Sequence, residues 1–320
     1  MKKAILSLFI RVTVSLALIV FLLYIMRGKY GEIITALKGA SIPVFGLGLL
    51  VFVLAISAAS LRLKLIISAQ HNMKVTFLEA LSLTFIGYFF NNFLPTSIGG
   101  DVVKGHYQSQ KTGDRTGSYT SVFVDRAIGL FTMVFMAFVA LFFVDSRVID
   151  KNVKIMIYAI TAVSALTILF LANKKMARKF SAILVLVRPI EDKLKKIYNA
   201  VNKYKHNSKL IFQSVVISIA SQLLFFMSIG VLAISMGSRI PVMDIVLKMP
   251  IISMMSMLPS INGLGLREGS TVLLFGPSIG RENAFAVSIL WLVLLFVVSV
   301  AGGIVYGLSP QFRVKFKNIE

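Results

Sequence analysis

Cysteine is absent from this chain of 320 residues, which excludes disulfide bonds, thiolate chemistry and cysteine-ligated zinc. Charge is also scarce: Asp, Glu, Lys and Arg make up 15% of the residues, against about a quarter in a typical soluble domain. Acidic residues are rarer than basic ones, with 13 Asp and Glu against 34 Lys and Arg, and the net charge is +21. The three histidines, His71, His106 and His206, are too widely spaced to form a metal-binding motif. We therefore expect no metal site and no cofactor.

Hydrophobic residues are abundant, at 57% of the chain, and the mean hydropathy is +0.85. Several apolar runs are long enough to cross the hydrocarbon core of a bilayer, which is about 30 Å thick. The sequence therefore predicts a multi-pass integral membrane protein. In such a protein, basic residues mark cytoplasmic loops and attract anionic lipids. No RNA-binding aromatic motif is present, so nucleic acid is not an expected partner.

The apolar runs predict an all-α polytopic fold with about six full membrane spans in one domain, residues 1–320. We place these spans at residues 12–26, 44–61, 118–144, 155–172, 210–236 and 284–308. The second span is expected to end at Arg62 and Lys64, because basic residues commonly lie at the membrane surface. A signal peptide is the alternative for the first run, but no small-residue cleavage site follows it.

Two further apolar segments, 77–93 and 245–275, are each interrupted by a short stretch. Residues 94–105 and 258–269 align without gaps at Leu, Pro, a small hydroxyl residue and two glycine positions. Paired interruptions in two halves of a membrane protein indicate a substrate site near the bilayer midplane. Every basic loop is cytoplasmic if each segment enters the membrane and returns to the side from which it came, the first from the cytoplasm and the second from the outside. We therefore predict two oppositely oriented re-entrant helical hairpins related by an inverted repeat; eight full spans are the alternative.

Basic residues predict which loops are cytoplasmic. The stretch between Lys174 and Lys209 is rich in Lys and Arg, both termini are basic, and residues 104–115 are interpreted as a polar, basic loop. We expect all of these segments on the cytoplasmic side of the inner membrane. Within residues 176–206, apolar residues recur every three or four positions opposite a basic face, which predicts an amphipathic helix on the cytoplasmic leaflet. A connecting helix in solution is the alternative.

Charged residues inside membrane segments cost about 2.5–3.5 kcal/mol each at the bilayer centre and usually mark function. Six of them follow the interruptions or lie within the span 118–144: Asp101, Lys104, Asp125, Arg126, Arg267 and Glu268. Sequence neighbours on a helix do not face each other, so each should find a partner elsewhere, with Arg126 pairing with Glu268 or Asp101. These residues are predicted to bind substrate; salt bridges that hold the hairpins are the alternative, and both roles are compatible.

The glycines and asparagines at the interruptions are predicted to complete the site. Gly99, Gly100, Gly263 and Gly265 are expected to take positive φ and to expose backbone N–H groups. Helices starting at Asp101 or Leu266 would then direct their N-termini at a phosphate. Hydrogen bonds from three amide side chains are expected to add to it: Asn91, Asn92 and Asn262. Ordinary turn formation is the alternative, and neither glycine run matches a nucleotide-binding motif.

Three ordered motifs give the chain a resemblance to a known family. They are Asn92-x-Leu94-Pro95-x-x-x-Gly99-Gly100-Asp101-x-x-Lys104, Asp125-Arg126-x-x-Gly129 and Leu258-Pro259-x-x-x-Gly263-x-Gly265-x-Arg267-Glu268-Gly269. With them the chain resembles the lysylphosphatidylglycerol synthase transmembrane-region, or flippase-like, family over nearly its whole length. The family usually has arginine in place of Lys104, which keeps the charge but loses the planar fork for phosphate. The chain ends soon after its last span, so we expect it to lack the aminoacyl transferase domain of bifunctional members.

The resemblance implies a lipid translocase of a bacterial or archaeal cytoplasmic membrane. The expected cargo is a phospholipid or polyprenyl-phosphate lipid with an anionic or phosphate-bearing headgroup, which Lys104, Arg126 and Arg267 would neutralise. No ATP-binding motif is present, so transport would use a gradient or downhill lipid flow. The resemblance also allows a separate soluble transferase and further copies of this chain as partners.

Two other functions are consistent with the same residues. A membrane-embedded enzyme, or an accessory subunit of a lipid or glycolipid transferase, would use Asp101 and Glu268 for acid–base chemistry. It would form product in detergent, where no bilayer asymmetry exists. A structural partner would instead dock a transferase through the basic amphipathic helix, and neutralising the charges near the interruptions would then be harmless.

Overall fold

The computed structural model describes residues 30–71, 75–93, 99–143, 151–172, 207–258 and 263–309, together with Val20, Tyr24, Tyr204 and Ser260. Within these residues the fold is all-helical, without strands. Ten helices follow in order: α1 Tyr30–Lys38, α2 Ile42–His71, α3 Phe77–Phe93, α4 Gly99–Thr112, α5 Arg115–Ala140, α6 Lys151–Ala172, α7 Ser208–Ser235, α8 Val242–Met255, α9 Leu266–Ile279 and α10 Arg281–Leu308. Apart from Val20, Tyr24 and Tyr204, the predicted span 12–26 and the predicted amphipathic helix 176–206 lie outside the described residues.

Four helices in the described part of the chain are long and apolar enough to cross a membrane: α2, α5, α7 and α10. The shortest of them, α5, has 26 residues and is therefore about 39 Å long, more than the ~30 Å hydrocarbon core. The prediction of a multi-pass helical membrane protein is confirmed. The expected end of the second span was wrong, because α2 continues past Arg62 and Lys64 to His71.

The same order of elements occurs twice in the described chain. A long helix, two short helices and a second long helix make up α2–α3–α4–α5, and the order recurs in α7–α8–α9–α10. The short helices α4, α8 and α9 have 14 residues each, or about 21 Å, which is too short to cross the bilayer core. The stretch expected to be a basic loop is helix α4, so that expectation was wrong; Gly100 of this helix packs against Gly87 of α3, and Gly105 packs against Tyr119 of α5.

Helices α3 and α4 form the first hairpin and run antiparallel. At its open end the Lys111 ammonium lies 2.7 Å from Glu79 Oε1, and this hydrogen bond holds the pKa of Glu79 below its usual value. At its closed end the Gly100 N–H donates to Asn91 Oδ1 at 2.7 Å. Next to the closed end, the backbones of α3 and α4 are in contact, since a Cβ on Gly100 would lie 2.1 Å from the Gly87 carbonyl oxygen. Gly100 thus permits close packing of α3 and α4. Gly99 and Gly100 are both helical, and the positive φ expected for them was wrong.

Helices α8 and α9 form the second hairpin, which is also antiparallel. At its open end Lys248 Nζ lies 2.7 Å from Asp244 Oδ2 on the same helix and 3.3 Å from Ser278 Oγ on α9. At its closed end Gly263 and Gly265 have φ of 78° and 83°, as predicted. These two glycines let the chain reverse and begin α9 at Leu266, because side chains disfavour positive φ.

Helices α2 and α7 pack as an antiparallel pair in the middle of the molecule. The Ser41 N–H donates to the Ser235 carbonyl at 2.7 Å near one end, and Ser221 Oγ donates to the Ala55 carbonyl at 3.0 Å further along. The first hairpin follows the C-terminus of α2, and the second follows the C-terminus of α7. Because the two helices run in opposite directions, the hairpins open at opposite ends of the pair and their closed ends face the interior.

Candidate functional site

The closed ends of the two hairpins meet at a cavity of about 370 Å³. The long helices α2, α5, α7 and α10 complete its wall, so all four candidate spans contribute to it. The first hairpin contributes Asn91, Asp101 and Lys104, and the second contributes Ser253, Ser256, Met257 and Arg267. The polar side chains from the long helices are Arg62, Asp125, Arg126, Ser221, Gln222 and Trp291. The two interrupted segments are far apart in sequence, but the fold brings them together at this cavity.

Asp101 joins two cations at the closed end of the first hairpin. Its Oδ1 lies 3.3 Å from Lys104 Nζ, one turn further along α4, and its Oδ2 accepts a hydrogen bond from Arg126 Nη1 on α5. The pairing of Arg126 with Asp101 was one of the two predicted. Lys104 reaches the cavity across Gly87, where a Cβ would lie 2.4 Å from Lys104 Cε. The absence of a side chain at position 87 thus admits both the lysine and the close approach of α4.

A second ion pair joins α2 to α5. Arg62 Nε lies 2.7 Å from Asp125 Oδ1 and Nη2 lies 3.2 Å from Oδ2, a bidentate arrangement, while Nη1 donates to Ser218 Oγ on α7 at 2.5 Å. Gly129 leaves room for the guanidinium, since a Cβ there would lie 3.0 Å from Nη1. Arg62 is 6% exposed, whereas the sequence was interpreted as placing it at the membrane surface. The available signal was that Arg62 lies between two leucines in a long apolar run, because a charge inside the membrane requires a buried partner.

Arg267 and Glu268 pair with each other, although neighbouring residues were expected to find partners elsewhere. Both Arg267 Nε and Nη2 donate to Glu268 Oε1, while Oε2 accepts from the Gly265 N–H at 2.6 Å. Glu268 turns back to cap the first turn of α9, and this position brings its carboxylate within reach of the long Arg267 side chain. Arg267 is 2% exposed, and its Cζ lies 5.3 Å from the centre of the Trp291 ring on α10, a cation–π contact.

Two of the backbone N–H groups that were predicted to be exposed to a phosphate already have acceptors. The Gly100 N–H donates to Asn91, and the Gly265 N–H donates to Glu268. Asn91 and Glu268 therefore cap the two helices that begin at the closed ends. The charged side chains that these ends contribute to the cavity are Asp101, Lys104 and Arg267.

Six of the predicted site residues line the cavity: Asn91, Asp101, Lys104, Asp125, Arg126 and Arg267. Six others lie in the same hairpins without being among its described lining residues: Asn92, Gly99, Gly100, Gly263, Gly265 and Glu268. Asn262 lies outside the described residues. Sequence reasoning missed Arg62, Ser253 and Trp291. Nothing local distinguishes Ser253 from other serines, and only its place in the fold brings it to the cavity.

The charges around the cavity do not balance. Four cations line its described part, Arg62, Lys104, Arg126 and Arg267, against two carboxylates, Asp101 and Asp125, which leaves a formal charge of +2 (4 − 2). Glu268, behind Arg267, reduces this to +1 (2 − 1). An anion is the complementary ligand for such a cavity. No cluster of three potential metal ligands occurs among the described residues.

Comparison with known proteins identifies the family of the chain. The sequence profile of the lysylphosphatidylglycerol synthase TM region matches residues 8–303. A UPF0104 membrane protein of Pyrococcus horikoshii is 27% identical over 266 residues, which cover 73% of this chain and 77% of that protein. No solved structure matches the chain. Because the profile extends over nearly the whole sequence and includes both hairpins, the chain belongs to the lysylphosphatidylglycerol synthase transmembrane-region family.

Proposed function

We propose that this protein is a lipid translocase that moves a phospholipid or polyprenyl-phosphate lipid across the cytoplasmic membrane through the cavity. The observation that carries the proposal is the cavity itself, with its excess of positive charge, enclosed by four candidate membrane spans. A headgroup that crosses about 30 Å of hydrocarbon needs a polar site within the membrane. The cavity supplies such a site, and its cations complement a phosphate.

Re-entrant insertion of both hairpins is part of the proposal. Their helices are short, they open at opposite ends of the α2–α7 pair, and their closed ends meet at the cavity. Non-spanning backbone is tolerated at membrane depth only when protein or water surrounds it. Buried residues such as Ile86 in α3 and Phe275 in α9 are consistent with this condition. In this arrangement the two four-helix units form an inverted repeat, the organisation that places transporter sites near the midplane.

Single cysteines at the two open ends should be labelled from opposite sides of the membrane. The chain has no native cysteine, so Gln110→Cys on α4 and Arg239→Cys before α8, both at exposed positions, each provide one reactive thiol. We expect a membrane-impermeant maleimide to label Arg239→Cys in intact cells and Gln110→Cys only after lysis. Labelling of both variants from the same side would contradict opposite insertion of the hairpins.

Transport should be selective for the headgroup in a purified system. We expect the protein, reconstituted in liposomes, to move fluorescent anionic phospholipids between leaflets faster than a choline lipid with the same chains. The physical reason is the excess positive charge of the cavity, which attracts the anionic headgroup and gives a choline group no counter-charge. A dithionite-quenching assay measures the rate, with empty liposomes as the control. Equal transport rates for all lipids would contradict the proposal, as would the absence of lipid movement both with and without a proton gradient.

A membrane-embedded transferase remains the second candidate. It would use Asp101 and Glu268 as acid and base across the cavity. Support for it is weaker, because Asp101 is engaged by Lys104 and Arg126, and both oxygens of Glu268 accept hydrogen bonds from Arg267 or Gly265. Product formation by the purified protein in detergent would favour this candidate over translocation.

A further inference from the structure

An apolar groove of about 690 Å³ lies between α4, α5 and α6. Helix α6 packs on α5 at its N-terminal end, where Val153 and Ile157 are buried, and the groove lies between the two helices further along. Val102 of α4, Phe123 of α5 and Val163 of α6 line the groove, and each is more than half exposed. The groove is therefore open to the exterior of the fold, where the hydrocarbon of the bilayer lies.

The groove is continuous with the cavity. Asp101, Arg126 and Leu130 line both of them, and Met254 of α8 brings the second hairpin to the groove as well. Arg126 lies near the middle of α5. Its side chain is 31% exposed, the largest fraction among the four cations of the cavity. An accessible cation thus lies where the apolar groove meets the polar cavity.

The cavity alone is too small for a whole lipid. Its volume of about 370 Å³ is near the lower limit for pockets that bind drug-sized ligands, about 300–1,000 Å³, and a two-chain lipid is larger than such a ligand. The groove extends from Tyr119 to Phe131, which is about 18 Å along α5. One leaflet contributes about 15 Å to a hydrocarbon core of about 30 Å. The groove therefore has the length and the apolar lining that the chains of one leaflet require.

We propose that the groove between α4, α5 and α6 holds the hydrocarbon chains of the cargo while the headgroup occupies the cavity. The phosphate of the cargo lies next to its hydrocarbon, so it is placed at the boundary beside Arg126, whose charge attracts it. The chains remain in apolar surroundings, which avoids the cost of exposing them to water. The cargo thus enters and leaves sideways, between α5 and α6. This inference rests on the proposed translocase function and adds the route that the lipid takes.

Filling the groove should slow transport. Ala159 lines the groove on α6, whereas Ala165 is exposed on the same helix and is not among the described lining residues. We expect Ala159→Trp to lower the initial rate of anionic lipid movement in liposomes by about tenfold or more, because the indole occupies volume that the chains need. Ala165→Trp adds the same side chain outside the groove and should leave the rate near that of the native protein.

A reversible cross-link tests the opening itself. Because the chain has no cysteine, Phe123→Cys/Val163→Cys places one pair of thiols on the two sides of the groove. A bifunctional methanethiosulfonate reagent joins them, and dithiothreitol releases them. We expect transport to stop on cross-linking and to return on reduction of the same sample.

The control cross-link joins the same two helices at their packed end. The rings of Phe138 and Tyr158 lie 6.3 Å apart, and neither residue is among the described lining of the groove. Cross-linked Phe138→Cys/Tyr158→Cys should transport lipid at the rate of its reduced form.

The outcomes separate this inference from the translocase proposal. Unchanged transport in Ala159→Trp, or in the variant cross-linked across the groove, would overturn the inference and leave the proposed function intact. Equal losses in Ala159→Trp and Ala165→Trp, or on both cross-links, would also overturn it. If the native protein were a dimer in detergent and Ala159→Trp dissociated it, the groove would belong to a second copy of the chain instead of a lipid. Absence of lipid movement by the native protein would overturn the proposed function and this inference together.

Discussion

Replacement of Arg267 by glutamine is expected to slow lipid transport by on the order of 10- to 100-fold, the loss associated with removing hydrogen bonds from a charged donor. Arg267 is buried at the closed end of the second hairpin, where it lines the cavity and contacts Trp291. The measurement is the initial rate of anionic lipid movement in liposomes. An unchanged rate would contradict a role for Arg267 in cargo binding.

The same substitution also leaves Glu268 without its cation, and removing one member of a buried pair costs about 3–5 kcal/mol. A loss of transport could therefore reflect unfolding. The double variant Arg267→Gln/Glu268→Gln removes both charges and should recover most of the thermal stability while transport stays low. Recovery of transport along with stability would show that the pair only holds the hairpin.

A matched control for Arg267 lies in the same hairpin. Lys248 pairs with Asp244 at the open end, away from the cavity lining. Lys248→Gln removes a partly buried cation of the same hairpin without touching the closed end. We expect near-normal transport in this variant, so comparable losses in Lys248→Gln and Arg267→Gln would argue against a site-specific effect.

Gly100→Ala is expected to damage both stability and transport, although it adds a single methyl group. The added Cβ would lie 2.1 Å from the Gly87 carbonyl oxygen, a backbone atom that moves only if α3 and α4 separate. Overpacking of this kind typically costs about 1–3 kcal/mol. Separation would also displace Asp101 and Lys104, which follow directly on α4. The readouts are the thermal unfolding midpoint in detergent and the transport rate in liposomes.

Gly46→Ala is the control for this substitution. Gly46 lies within α2, and a Cβ there would meet nothing within 4 Å. Alanine in a helix interior is favoured over glycine by about 0.5–1 kcal/mol, so the midpoint should stay the same or rise slightly. A Gly100→Ala variant as stable and active as Gly46→Ala would refute the close contact between α3 and α4.

Local patterns in the sequence were sufficient for much of this architecture. The predicted bounds of the apolar segment 77–93 coincide with those of α3, because a Leu-Pro break follows the apolar run. The segment was expected to enter the membrane and return by itself, whereas in the structure it is one helix and α4 is its antiparallel partner. The positive φ of Gly263 and Gly265 was predicted correctly, since a reversal before a new helix requires it. The partnership of Arg126 with Asp101 was anticipated because a membrane-embedded cation needs a carboxylate. The bounds of α3 and the conformations of the two glycines depend on local chemistry, whereas the choice between Asp101 and Glu268 as the partner of Arg126 depended on the fold.

Other features depended on contacts between distant residues, and local patterns misled there. The polar residues after position 100 are typical of a loop, yet packing of Gly100 on Gly87 stabilises α4 as a helix. Arg62 has the position of a membrane-surface residue in the sequence, but Asp125, 63 residues later, holds it in the interior. Hydropathy and periodicity determined the helices and the two interruptions. Only the tertiary structure decided which charges form pairs. An ion pair depends on the distance between two side chains in space, and the local sequence around each residue does not determine that distance.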